Sequence, residues 1–143
     1  MIYIDNIMTE EKMLMEMKVG DSIILSEEVV SDNTASTWGS GSLPVYATPA
    51  MVLLVEKAAV KLLSDKLDEG FTTVGTNLNI AHVSATPIGG TIKCQCTLSE
   101  IDRKRLEFHV EITDAKGRVG IGRHERFIVE SEPFMEKAKH KFD

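Results

Sequence analysis

Between residues 48 and 129 the hydrophobic pattern changes its period once, and that single change restricts the fold to a small set. Thr48 and Pro49 open the clearest helix in the chain, because threonine is a good N-cap and proline is best tolerated in the first helical turn. The helix is expected to run to about Leu67 and to stop at Gly70. From Thr73 the period becomes two: Val74, Thr76, Leu78, Ile80 and His82 share an inward face, and Thr73, Asn77 and Asn79 share the other. Thr86, Pro87, Gly89 and Gly90 make a turn, after which strands are expected at Ile92 to Ile101, Arg105 to Asp114 and Arg118 to Val129. A further strand, irregular near Glu27 and Glu28, is expected ahead of the helix at Ser22 to Val30. One long helix and four consecutive antiparallel strands leave that helix to be covered by one strongly curved sheet, an α+β domain. Short helices are expected at Thr9 to Met17 and from Pro133 onward, the latter packing Phe134, Ala138 and Phe142 on the sheet.

Such a layout needs one core, and 143 residues of which 43% are apolar suffice for a single domain over residues 1–143. Twenty-two acidic residues against sixteen Lys and Arg give a net charge of −6 with no basic stripe, which excludes nucleic acid as a partner. The longest clean apolar run, Ala50 to Val55, is far shorter than the ~20 residues of a membrane span. Met1 to Glu11 carries acidic residues and no basic ones, so no signal peptide is expected and the protein is read as cytoplasmic. Cys94 and Cys96, two apart in a strand, read as apolar thiols on one face. His82, His109, His124 and His140 show no ligand spacing, so no metal site is expected.

The chemistry is concentrated on the helix and the strand after it. Lys57, Lys61, Ser64, Asp65 and Asp68 form the solvent face of the helix, whereas Glu56 has Val52, Leu53, Ala59 and Val60 as its helical neighbours. A carboxylate on a packed side needs a partner, and His82, at the end of an inward row, is the candidate. A structural pair and a functional one are both consistent with that pattern. Thr48 reads as a cap, yet its hydroxyl and the N–H groups of Ala50 and Met51 also form a place to hold a polarised carbonyl oxygen. Eight residues of helix between Thr48 and Glu56 rise ~12 Å, so a site using both spans its substrate or lies between two subunits. The segment Ser36 to Ser42, with Trp38 inside it, is a candidate lid.

These pieces resemble the hotdog-fold thioesterases, and most closely their fluoroacetyl-CoA thioesterase-like branch. The likeness is carried by A-T-P-A-M-V-L-L-V-E at Ala47 to Glu56, V-G-T-N-L-N-I-A-H at Val74 to His82, A-T-P-I-G at Ala85 to Gly89, and G-R-H-E-R at Gly122 to Arg126. The resemblance implies Thr48, Glu56 and His82 as the catalytic set and Gly75 as a contributor to the site. It also implies a hotdog fold, a curved antiparallel sheet wrapped around a long central helix, with sheets joined in a homodimer and pairing into tetramers left open. The implied reaction is hydrolysis of a small or medium acyl-CoA, with no cofactor beyond the coenzyme A of the substrate. Thr48 would supply or position a hydroxyl and His82 would move the proton. Glu56 would orient His82 or attack the carbonyl. Arg126, with Arg123 and Lys104, is a candidate contact for CoA phosphates, and Trp38 is a candidate substrate contact within the lid segment. Where the fluoroacetyl-specific branch member carries lid aromatics this chain has Gly39-Ser40-Gly41-Ser42, so fluoroacetyl specificity is not expected. An acyl-CoA hydratase or dehydratase, and a non-catalytic acyl-CoA binding domain, are the competing readings on the same fold.

Overall fold

A computed structural model describes residues 17–143. The helix expected at Thr9 to Met17 therefore lies, apart from Met17, outside the described residues. The elements are β1 (Ser22–Glu28), a 3₁₀ turn (Ser31–Asn33), α1 (Ala35–Trp38), α2 (Thr48–Leu63), β2 (Phe71–His82), β3 (Thr91–Asp102), β4 (Arg105–Asp114), β5 (Gly117–Glu130) and α3 (Ser131–Lys139). The strands form one antiparallel sheet in the order β1-β3-β4-β5-β2.

The α+β expectation of one helix against one sheet describes this architecture, but the four strands after the helix are not neighbours in sequence order. β2 pairs with β5 rather than β3, from Phe71↔Glu130 to His82↔Gly120, and β3 pairs with β1. The turn residues Thr86 to Gly90 accordingly carry the chain across the end of the sheet. They are held by hydrogen bonds from Tyr46 N to Thr86 O (2.9 Å), Val29 N to Gly90 O (2.8 Å) and Gly89 N to Val29 O (2.9 Å). β1 is regular to Glu28 and shows none of the irregularity expected near Glu27.

α2 buries Ala50, Met51, Leu54, Val55, Ala58, Ala59, Leu62 and Leu63 against the sheet, two adjacent positions in every four. Ile92, Cys94, Cys96 and Leu98 of β3 and Leu106, Phe108, Val110 and Ile112 of β4 meet them. Each large apolar side chain so buried contributes about 1.5–3 kcal/mol. Both thiols are free, and burial pushes each up to about 12. The helix stops at Leu63, earlier than expected, because Ser64 N and Lys66 N turn to the i−3 carbonyls of Lys61 and Leu63 and tighten the chain. α3 is an exposed appendix with no buried residue, and Phe142 is 93% exposed, so the expected packing on the sheet is not made.

The register of β2 shifts between Gly75 and Asn77. Side chains directly opposite one another share a face, so Thr73 and Gly75 lie with Ile128 and Arg126, whereas Leu78, Ile80 and His82 lie with His124, Gly122 and Gly120. The inward row predicted from alternation therefore holds for Leu78, Ile80 and His82. It fails for Val74 and Thr76, which a one-residue bulge places on the other face. No described helix is long and apolar enough to cross a membrane.

Candidate active site

Two polar clusters sit on the helix-facing side of the sheet. The first joins the start of α2 to the end of β2. The helix is capped by the extended backbone of Ala47, not by Thr48, which is its first residue and makes no capping bond. That leaves the Thr48 hydroxyl to hydrogen-bond His82, with Oγ1 2.8 Å from Nδ1. His82 Nε2 is buried without a hydrogen-bond partner. Burial lowers the pKa of His82, and the nearby Ser84 backbone offsets part of that effect, so the ring is neutral at pH 7. In the tautomer that lets Nδ1 accept the Thr48 proton, Nε2 carries the ring proton. Thr48, His82, Tyr46, Ser40 and Ser84 line an open pocket of about 290 Å³. Tyr46 is buried and packs edge-on against His82, with ring centroids 6.4 Å apart and planes at 77°. Its hydroxyl donates to the Glu27 carboxylate, and burial first, then that carboxylate, raises the phenol above its ordinary pKa.

The second cluster is centred on Glu56. Arg126 Nη1 donates to Glu56 Oε2 at 3.3 Å. Arg126 is itself held by Thr73, with Nε donating to Oγ1 (2.8 Å) and Nη2 to the backbone oxygen (3.1 Å). Its Nη1 also lies 3.2 Å from His124 Nε2, and His124 Nδ1 lies 2.9 Å from the Asn77 carbonyl. Gly75 faces this group: a Cβ there would stand 3.0 Å from Glu56 Oε2, 3.2 Å from Arg126 Nη1 and 3.4 Å from His124 Cε1. A methyl group there would stand closer than ordinary van der Waals contact, so these side chains would have to move back by a few tenths of an ångström. Desolvation lowers the Arg126 pKa while Glu56 opposes it, and the guanidinium remains a cation. Glu56 is half-buried and opens on a cleft of about 310 Å³ lined by Leu53, Lys57, Val60, Lys61 and Arg126.

Several expectations are corrected by this arrangement. Glu56 pairs with Arg126 and not with His82, whose partner is Thr48. Its helical neighbours Leu53 and Val60 are exposed on the open side of the cleft rather than packed. Arg126 points into the protein, whereas Arg123 is exposed and reaches toward Glu107 (3.7 Å). The Met51 N–H is spent on Ala47 O (3.0 Å), and Met51 lies in the core; Ala50 is buried beside it. Trp38 ends α1 instead of lying in a loop, donates from Nε1 to Asp32 O, and lines a separate cleft of about 230 Å³ with Val30, Ala50, Leu53 and Leu54. Thr48 and His82 are brought together, and so are Glu56 and Gly75.

Sequence reasoning passed over His124, Tyr46 and Glu27. For His124 a signal was present: with Ile128 inward, period two places Arg126 and His124 inward as well. For the Tyr46–Glu27 pair there was none, because Glu27 meets Tyr46 only after the chain has folded. Among the described residues no three His, Cys, Asp or Glu side chains converge as metal ligands would.

Residues 29–132 match the sequence family described as fluoroacetyl-CoA-specific thioesterase. Over 97 residues, 68% of this chain and 70% of the relative, the sequence is 34% identical to the fluoroacetyl-CoA thioesterase of Streptantibioticus cattleyicolor. The fold superposes with a TM-score of 0.78 on the crystal structure of an alanine mutant of the fluoroacetyl-CoA-specific thioesterase in complex with fluoroacetate and CoA. That match has 29% identity and covers 82% of this chain and 99% of the other. A hot-dog-like protein from Thermanaerovibrio acidaminovorans superposes at a TM-score of 0.84, with 21% identity over 90% of this chain and 96% of its own, a likeness of fold. The antiparallel sheet and central helix of this chain are thus a hotdog fold.

Proposed function

The chain belongs to the fluoroacetyl-CoA-specific thioesterase family, and from that premise we propose how its residues divide the work of hydrolysing an acyl-CoA to the free acid and CoA. The observation that carries the reading is the Thr48–His82 hydrogen bond at the mouth of an open pocket. A thioester carbonyl is electrophilic and a thiolate leaves readily, so the protein has to supply an oriented nucleophile, a base and a donor for the oxyanion. Thr48 presents the attacking hydroxyl or the water in its place. His82 takes the nucleophile's proton and returns it to the departing CoA sulfur; where Thr48 itself attacks, a water then adds to the acyl-Thr48 ester, His82 taking its proton and returning it to the Thr48 oxygen as the free acid leaves. Glu56, held by Arg126, acts toward the substrate rather than toward His82.

The finer part of the proposal concerns substrate and assembly. The acyl group is small or medium, and the reaction uses no cofactor, since CoA enters as part of the substrate. Gly39 to Ser42 offers no aromatic side chain to grip a fluoromethyl group, so fluoroacetyl-CoA is not singled out over acetyl-CoA. A homodimer is supported by β2, a 12-residue strand at the edge of the sheet whose outer backbone groups are open to pairing with a second copy. It would also bring Thr48–His82 and Glu56, ~12 Å apart along one helix, to a shared substrate. A cytoplasmic location belongs to the same proposal. The test is release of CoA thiol from acyl-CoAs running from acetyl to long chain, by wild type and His82→Ala. Turnover on short or medium chains that the substitution abolishes supports the reading, and no thiol release from any acyl-CoA would overturn it.

A further inference from the structure

We propose that His124 is a positioning residue for the reaction described above: as a neutral hydrogen-bond acceptor it fixes the Arg126 guanidinium, and through it the Glu56 carboxylate. The proposal rests on the thioesterase reading only for its consequence in turnover; the geometry stands apart from it.

His124 is fully buried, and each ring nitrogen has one partner. Nδ1 lies 2.9 Å from the Asn77 carbonyl, which can only accept, so Nδ1 carries the proton. Nε2 then presents its lone pair to Arg126 Nη1 at 3.2 Å. Asn77 stands at the register shift of β2, and the same shift sets Gly75 against Glu56, Arg126 and His124. Bulge, glycine, histidine and arginine thus form one arrangement, and it ends on the Glu56 carboxylate.

An apolar residue would fill the place of His124 beside the Phe108 ring, whose centroid lies 6.2 Å away, without the cost of burying an imidazole. What the imidazole adds is an acceptor. Arg126 donates Nε and Nη2 to Thr73, and its Nη1 is shared between Glu56 and His124. Without the acceptor at Nε2, the guanidinium keeps Thr73 on its Nε and Nη2 side, but the Nη1 hydrogen aimed at His124 is left buried without a partner, and the edge that holds Glu56 is less tightly fixed. A misplacement of about 1 Å at a reacting group costs on the order of 100-fold in rate.

Protonation of His124 has the same effect as its removal, because Nε2–H would then oppose an Arg126 N–H and two cations would face each other. The groups around the ring are Arg126 and Glu125 on its own strand, Glu56 on α2, the Asn77 carbonyl on β2 and the apolar Phe108 on β4. Burial, the largest influence, lowers the pKa of His124. Arg126 lowers it further, while the Asn77 carbonyl and the carboxylates of Glu56 and Glu125 raise it. The acceptor is therefore intact at neutral pH and is lost on the acid side of the ordinary histidine range.

The test compares wild type, His124→Leu and His124→Gln, each checked for folding by circular dichroism, in kcat, KM and the acid limb of log kcat against pH. His124→Leu is expected to lower kcat about 10- to 100-fold with KM unchanged. His124→Gln keeps an acceptor for Arg126 and a donor for Asn77. It is expected to hold kcat within about threefold of wild type while reducing the slope of the acid limb from two protons to one, His82 remaining. A folded His124→Leu with wild-type kcat overturns the proposal. If the leucine variant does not fold, a 10-fold or greater loss in His124→Gln overturns it. Nitrogen NMR of the histidine rings decides the matter even if wild type releases no thiol, an outcome that would fail the thioesterase reading alone. A neutral Nδ1–H ring for His124 at pH 7 is expected, and an imidazolium or an Nε2–H ring overturns the proposal.

Discussion

Thr48 Oγ1 lies 2.8 Å from His82 Nδ1, so a hydroxyl on the first residue of the central helix is committed to a strand 34 positions away and not to its own helix. Because the helix does not depend on it for capping, Thr48 is separable from stability. Thr48→Ala is expected to lower kcat by about 10²- to 10⁴-fold while costing about 1 kcal/mol of folding free energy. Thr48→Ser, which keeps the oxygen, should retain most of the turnover. Thiol-release kinetics and a urea midpoint on the same preparations measure both.

The acid limb of kcat/KM should lie below the ordinary histidine pKa of ~6.5. His82 accepts a proton only when neutral, and burial lowers its pKa, so activity persists through neutral pH and falls as pH drops through the lowered value. Stability follows the same sign. His82 and His124 are both depressed in the folded state, so their contribution is complete above the unfolded value and is lost as pH falls through the folded ones. A pH–rate profile, with urea midpoints at pH 7 and pH 5, tests this; an acid limb centred above pH 6.5 would refute it.

Gly75→Ala places a methyl group 3.0 Å from Glu56 Oε2 and 3.2 Å from Arg126 Nη1, where those side chains must yield. The expected cost is about 1–3 kcal/mol in stability. Turnover should fall by about 10-fold or more, because the strain falls on the Glu56–Arg126 pair. Thermal melts and thiol release separate the two, and a variant with undiminished kcat would show that the spacing around Gly75 is not needed for the chemistry.

Much of this could be read in the chain because periodicity reports faces. The helix start at Thr48, the apolar rows of β3 and β4, and the inward position of His82 all follow from spacing. What escaped was decided by contacts between distant segments. Alternation counts residues in twos, and the bulge at Gly75 adds one, so Val74 and Thr76 were placed on the wrong face while the isolated glycine that marks such bulges was in plain view. Glu56 was paired with the nearest inward histidine because Arg126 reads as a surface cation until its strand is known to lie beside β2. The topology itself was hidden, because β2 skips over its successor to reach β5.

That skipped neighbour has a bearing on how the molecule comes together in time. β1, β3 and β4 join through ladders that need nothing beyond Asp114, whereas β2, which carries Gly75 and His82, waits for a strand running to Glu130. The ladder between β2 and β5 is the last that the chain can form, because β5, Gly117–Glu130, is made after every other strand. On a ribosome, β2 emerges early and holds two unsatisfied backbone edges until the final strand arrives. Asn77 O, Arg126 and Glu56 meet only at that moment, so a nascent or truncated chain can own a helix and a β3–β4 hairpin and still have no anchored carboxylate.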